Sequence, residues 1–182
     1  RRQRQMCIRD RDLSDINKVK STFKKYVSEN IVDELLLNES SLELGGVEQD
    51  VCVLFSDIRG FTAMSETLEP SKVVKLLNAF FDKMIDVVFK YNGTLDKIIG
   101  DELMVLYGAP LKKKNDIKNA VNTAKEMFTT LDKFNKEMVA DGFPELSIGI
   151  GINYGKVICG NIGSEQQTVS YTHLRAHETI NH

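Results

Sequence analysis

The readable pattern of apolar and polar positions begins at Asp12. From there to Leu37, apolar residues fall at Ile16, Val19, Phe23, Val27, Ile31, Leu35 and Leu36, mostly three or four apart, which is helical spacing. Ser28-Glu29-Asn30 interrupts the run and offers an N-cap for a second short helix ending near Leu37. A polar loop with Gly45-Gly46 follows. Then Val51 to Ser56 reads VCVLFS, a nearly unbroken apolar run expected of a strand buried on both faces. Pro70 stands where proline fits the first helical turn, and Val73, Leu76, Leu77, Phe80, Phe81, Met84, Ile85 and Val88 trace one face of the helix that follows. Asn92-Gly93 is expected to stop it. Thr94 to Ile99 and Glu102 to Tyr107 predict two strands joined by a tight hairpin at Gly100-Asp101. Asn115 to Met138 is a long helical stretch, with Ala120, Val121, Ala124, Met127, Phe128, Leu131, Phe134 and Met138 in register. Leu146 to Ile152 and Val157 to Ile162 are expected strands, turning at Tyr154-Gly155.

From Val51 onward the order is β-α-β-β-α-β plus an extra strand. That is the α+β class: a ferredoxin-like βαββαβ sheet with helices on one face, preceded by a short helical lead-in. At 182 residues the chain suits one domain of ordinary size. Its 42% hydrophobic and 27% charged residues make a soluble globular mixture. No apolar run approaches the roughly 18 residues that span a bilayer, and no basic segment followed by an apolar one marks a secretory signal. Cys7, Cys52 and Cys159 are too scattered for a disulfide framework, which favours a reducing compartment. A formal charge of −2 and a pI near 6.0 exclude a generally basic nucleic-acid binder.

The two ends differ from the middle. Arg1 to Arg11 (RRQRQMCIRDR) is arginine-rich without an amphipathic period, and Val169 to His182 (VSYTHLRAHETINH) holds every histidine of the chain. Both strings resemble translated sequencing adapter, and the alternative is a genuine basic arm and histidine tail. Set aside, they leave a more acidic core, and the histidines drop out as candidates for a catalytic base or a zinc site. Lys112-Lys113-Lys114 sits in a connection and is expected to be a solvated turn.

The topology brings chemistry together. Asp57 ends the first strand and Asp101 begins the third, which in a split βαβ is its antiparallel neighbour. The two carboxylates should therefore converge at one edge of the sheet. Oxygen ligands of this kind suit Mg²⁺, and two such ions about 3.5–4 Å apart can activate an attacking oxygen and neutralise a phosphate chain. After Asp57, Gly60 allows a tight turn, and backbone N–H groups at the start of the next helix can bind phosphate. Spacing alone leaves a plain cap or turn role open for each aspartate.

Three blocks carry a resemblance: VLFSDIRGFTAMSE (Val53 to Glu66), DKIIGDELMVLYG (Asp96 to Gly108) and IGIGINYGKVICGNIGS (Ile148 to Ser164). In order and spacing they resemble class III nucleotidyl cyclases of bacterial type, over roughly Phe23 to Gln167. The stretch FKKYVSENIVDELL and the LELGG loop resemble the lead-in of such proteins. The resemblance implies that Asp57 and Asp101 are the metal-binding, catalytic carboxylates for two Mg²⁺ or Mn²⁺ ions, with the Ile58 carbonyl a further ligand. It implies that Gly60, Phe61 and Thr62 line the triphosphate, and that Lys97 reads the base, where adenylyl cyclases carry Lys and guanylyl cyclases Glu. Lys156 falls where the family often has a phosphate-contacting Arg, although an exposed turn lysine is an equal reading.

The implied reaction is attack of the ribose 3′ oxygen on the α-phosphorus of ATP, giving 3′,5′-cyclic AMP and pyrophosphate for intracellular signalling. The implied assembly is a head-to-tail homodimer with shared active sites, located in the cytoplasm, with room for a regulatory or membrane region upstream. The family's later Asn and Arg, one helical turn apart, have no counterpart after Gly163, where the match fades. The expected organisation is thus a non-native segment over 1–11, the lead-in over 12–47, a partial catalytic domain over 48–168 and a non-native tail over 169–182. On this reading the 182 residues alone are inactive. The alternatives are a guanylyl cyclase and an inactive cyclase-like dimerisation or regulatory module. A diguanylate cyclase is disfavoured, because the turn reads Ile99-Gly100-Asp101-Glu102 instead of a GG(D/E)EF-like hairpin.

Overall fold

The structure, a computed structural model, describes residues 47–164 and 167–174. The helical lead-in, the Gly45-Gly46 loop and the arginine-rich string lie outside the described residues. Eight elements follow in order: β1 (Val47–Ile58), α1 (Phe61–Thr67), α2 (Pro70–Lys90), β2 (Thr94–Ile99), β3 (Glu102–Tyr107), α3 (Asp116–Ala140), β4 (Ile148–Ser164) and β5 (Gln167–Leu174). The sheet runs β2-β3-β1-β4-β5 with every neighbouring pair antiparallel. Its first four strands are the ferredoxin-like order expected from the sequence.

Alternation in the strands divides the sheet into two faces. Cys52, Leu54 and Ile58 of β1 and Leu103, Val105 and Tyr107 of β3 join the core beneath α2 and α3. Val51 and Val53 of β1, with Met104 and Leu106 of β3 and Val157 of β4, form a second buried cluster on the opposite face. β1 is buried on both sides, as its unbroken apolar run requires. The α2 stripe closes the first core through Leu76, Phe80, Met84, Val87 and Val88. Phe80 meets Phe134 of α3 edge-to-face at 6.1 Å between ring centroids, which couples the two helices.

The turn after α2 is set by close approach. Asn92 has φ 56°, and a Cβ on Gly93 would stand 2.7 Å from Val88 Cγ1 and 2.8 Å from the Tyr107 hydroxyl oxygen. Only glycine fits there. The Tyr107 hydroxyl donates in turn to Thr123 Oγ1 at 2.6 Å, tying the end of β3 to α3. Burial pushes its phenol well above the ordinary range.

One expectation is corrected. Tyr154-Gly155 is not a turn: β4 runs unbroken from Ile148 to Ser164, with Tyr154 opposite Cys52 and Gly155 opposite Val51. A β1 of twelve residues offers a partner along that whole length, and Gly155 keeps ordinary strand geometry, without the positive φ of a turn glycine. The chain reverses after Ser164, and β5 pairs back on β4 from Ser164↔Gln167 to Val157↔Leu174.

The link from α3 into β4 hangs on one buried side chain. Asn135 Nδ2 donates to the Leu146 carbonyl at 2.7 Å, and the Leu146 N–H donates to Asn135 Oδ1 at 3.0 Å. Asn135→Ala strands two buried backbone groups, each costing about 1–3 kcal/mol. The expected loss in urea unfolding is therefore about 2–6 kcal/mol, with an unchanged denaturant slope. A loss below about 0.5 kcal/mol, the ordinary effect of a surface change, would mean that water replaces the amide.

Candidate active site

The β1–β3 register pairs Phe55 with Met104 and Ser56 with Leu103. Continued past its last pair, it sets Asp57 across from Glu102 and Ile58 across from Asp101. The sheet thus brings Asp57 and Asp101 to one edge. Asp57 is exposed, whereas Asp101 and Glu102 are half-buried. The Asp101 carboxyl is pushed up by burial first, then by hydrogen bonding to the Asp57 side chain and by its charge. Backbone N–H donors, that of Ile58 among them, act the other way. Glu102 is pushed up by burial and then by the charges of Asp57 and Asp101.

Three carboxylates crowd one corner, and among the described residues none of them forms an ion pair with a cationic side chain. Among the described residues no group of three or more His, Cys, Asp or Glu side chains stands in metal-ligating geometry. The corner therefore offers two carboxylates and the Ile58 carbonyl, leaving the other positions to water and phosphate. Mg²⁺ prefers that manner of binding, and like-charge crowding is what a divalent ion relieves. The donor set fits the metals that the sequence implies.

Gly60 has φ 68°, a left-handed conformation that turns the chain from β1 straight into α1. It caps α1 with no side-chain hydrogen bond, so the N–H groups of Phe61 and Thr62 head the helix without an intrahelical acceptor. Arg59 pins this corner down. Its N–H donates to the Ser147 carbonyl at 2.8 Å. Its guanidinium lies over Gly149, where any Cβ would collide with it. The sequence reading missed this contact, whose only signal was the glycine alternation in GIGINYG.

That alternation shapes the surface beside the carboxylates. Gly149, Gly151 and Gly155 pair with Asp57, Phe55 and Val51, so all three lie on the sheet face away from the helices. A Cβ on Gly151 or Gly155 would meet nothing within 4 Å. The result is a stretch of β4 beside the site with little side-chain bulk, interrupted by Asn153 opposite Val53 and covered at Gly149 by Arg59.

Lys97 reaches the same face through an irregularity. β2 pairs Leu95 with Val105 and Lys97 with Met104, leaving Asp96 as the extra residue of a bulge. Leu95 turns into the helix-side core, while Lys97 lies across from Met104 on the opposite face. Its ammonium sits 3.1 Å from Asp96 Oδ2, whose side chain is only 3% exposed. Lys156 is not brought to the carboxylates of its own chain. It pairs with Asp50 in register and with Glu48 Oε1 at 3.0 Å. Seven strand residues separate that position from Asp57, about 23 Å.

The model of the family described as adenylate and guanylate cyclase catalytic domain matches residues 46–172. An adenylate cyclase of Anabaena cylindrica is 33% identical over 156 residues, 81% of this chain and 30% of that protein. The chain therefore spans under a third of that relative's length. The crystal structure of the guanylyl cyclase Cya2 shares 42% identity and a TM-score of 0.69, covering 72% of this chain and 67% of that one. The adenylyl cyclase CyaB from P. aeruginosa shares 35% identity at the same TM-score, covering 72% of this chain and 69% of that one. A family model matching well over half of the sequence, a shared fold and a paired-aspartate corner agree: the chain belongs to the adenylate and guanylate cyclase catalytic domain family.

Proposed function

We propose that this domain serves an adenylate cyclase, which converts ATP to 3′,5′-cyclic AMP and pyrophosphate in the cytoplasm as part of intracellular signalling. The observation that carries the proposal is the convergence of Asp57 and Asp101 beside the open backbone of Gly60, Phe61 and Thr62. Two Mg²⁺ or Mn²⁺ ions bound there would lower the proton affinity of the ribose 3′ hydroxyl and neutralise the phosphate chain. Asp57, Asp101 and the Ile58 carbonyl hold that corner. The Phe61 and Thr62 N–H groups take the triphosphate oxygens, where the start of a helix favours negative charge. Arg59, clamped on β4, keeps the turn from drifting as charge builds on the phosphoryl oxygens. No side-chain base is required, because the reaction is intramolecular and catalysis is mostly positioning and electrostatics.

Substrate choice rests on Lys97. An ammonium only donates, so it matches adenine N1, which only accepts. Lys97 shares a sheet face with Asp57, and a head-to-tail homodimer sets the lysine of one subunit against the carboxylates of the other. The same pairing is the route by which Lys156, remote from the carboxylates of its own chain, reaches phosphate. A guanylyl reading is favoured by the 42% identity to the guanylyl cyclase Cya2, and Lys97 speaks against it.

The 182 residues alone are expected to form no appreciable cyclic AMP, since they carry no Asn and Arg one helical turn apart after Gly163, and loss of one such transition-state group commonly costs about 10²–10³ in rate. Comparing cyclic AMP formation by this chain and by the parent protein, with Mn²⁺ and ATP, is the test. Equal rates would overturn the assignment of those roles. No product from the parent with either ATP or GTP would overturn the cyclase reading itself.

A further inference from the structure

A cavity of about 630 Å³ opens at the end of the sheet remote from the carboxylates, between the first turns of α3 and the β1–β4 pair. Asp50 lies in its lining, seven residues along β1 from Asp57 and hence about 23 Å away. In a chain of net charge −2, five lysines and two aspartates line this one space. Both aspartates are engaged. Asp50 Oδ2 accepts from Lys112 Nζ at 3.1 Å, and Asp116 Oδ2 accepts the Lys113 backbone N–H at 2.7 Å. Among the described residues, the ammonium groups of Lys114, Lys118 and Lys125 have no carboxylate partner. Lys118 and Lys125 are two helical turns apart on one side of α3, about 10 Å along the axis.

The rest of the lining has a different chemistry. Ile117, Val121 and Tyr154 are 49%, 39% and 51% exposed, so an apolar and aromatic surface stands in the same cavity as the lysines. Three cations lining one cavity suit a chain of phosphates, and an exposed ring beside apolar side chains suits a flat heterocycle. A volume of several hundred Å³ fits one molecule carrying both.

We propose that this cavity is a second nucleotide-binding site, taking the phosphate chain of a nucleoside triphosphate on Lys114, Lys118 and Lys125 and its base on Tyr154. It stands apart from the catalytic corner and does not depend on the cyclase reading. Its affinity is governed by exposed charges and falls as salt rises.

The test uses the whole 182-residue chain carrying Asp57→Ala and Asp101→Ala, in EDTA, so that the carboxylate corner is silent. ATP and inorganic tripolyphosphate are titrated separately, and backbone amide shifts are mapped by NMR. ATP is expected to move the amides from Lys114 to Lys125 and that of Tyr154. The pair Lys118→Gln and Lys125→Gln should weaken ATP about tenfold, a loss of about 1.4 kcal/mol. Tyr154→Ala should weaken ATP while leaving tripolyphosphate unchanged. Absence of shifts in that segment at millimolar ATP overturns the site. Equal affinity for ATP and tripolyphosphate, together with indifference to Tyr154→Ala, overturns its assignment to a nucleotide.

Discussion

Replacing Asp57 or Asp101 with alanine in the parent enzyme is expected to reduce cyclic nucleotide formation by at least about 10³-fold, in line with loss of a group that stabilises developing charge. The two carboxylates converge closely enough for the Asp57 charge to push the Asp101 carboxyl up. Glu102 stands nearest, yet it lies across from Asp57 on β3 and meets the pair as a third negative charge. Stability should move in the opposite direction from activity. In the metal-free domain Asp101→Asn removes a half-buried carboxylate that is crowded by Asp57 and Glu102, so its melting point should rise while turnover disappears. Measuring Mn²⁺ binding, melting and turnover on the same variants separates the roles. Turnover within about tenfold of wild type in either alanine variant would remove the two-metal reading.

Lys97→Glu is expected to lower the ATP:GTP ratio of kcat/KM by at least about 10³-fold, nearly all of it through loss of ATP. A carboxylate placed against adenine N1 opposes two acceptors, and sites that hydrogen-bond a substrate reject mismatched partners by large factors. Good use of GTP does not follow automatically, since guanine also needs an acceptor met at O6. The bulge adds a local cost. In the variant the new carboxylate stands beside Asp96, whose nearly buried charge loses its cation at 3.1 Å. A modest fall in stability should therefore accompany the switch in preference. The competing outcome is a wild type that prefers GTP, or a ratio that the substitution leaves unmoved. Either would mean that Lys97 does not read the base.

Much of this architecture was legible because each element carries one clear period. The α2 stripe, proline at its start and glycine at its end sufficed for Pro70–Lys90, and the Gly100 turn, with φ 66°, stands where the hairpin was expected. The convergence of Asp57 and Asp101 followed from strand order alone. β4 was misread because tyrosine and glycine were weighed as turn formers, whereas pairing along the length of β1 decides the matter. Tertiary pairing overrides local propensity there. The Arg59–Gly149 clamp and the Asn135–Leu146 link were invisible, since both join residues far apart in sequence through contacts that leave no periodic trace. The lysine run was read as a solvated turn; the cavity it helps to line exists only once Tyr154 is brought beside α3.

The bulge at Asp96 has a consequence for solubility. β2 is an outer strand of the described sheet, and outer strands with unpaired backbone groups recruit further strands. Ile98 and Ile99, 42% and 54% exposed, would make this edge an attractive template if it were straight. The extra residue kinks the ladder just before them, and Lys97 places a charge at the kink. Both features discourage edge-to-edge stacking. The pairing through the sheet face proposed above would otherwise compete with an open-ended way to associate, and the same single residue that brings Lys97 to the face of Asp57 helps to close it off.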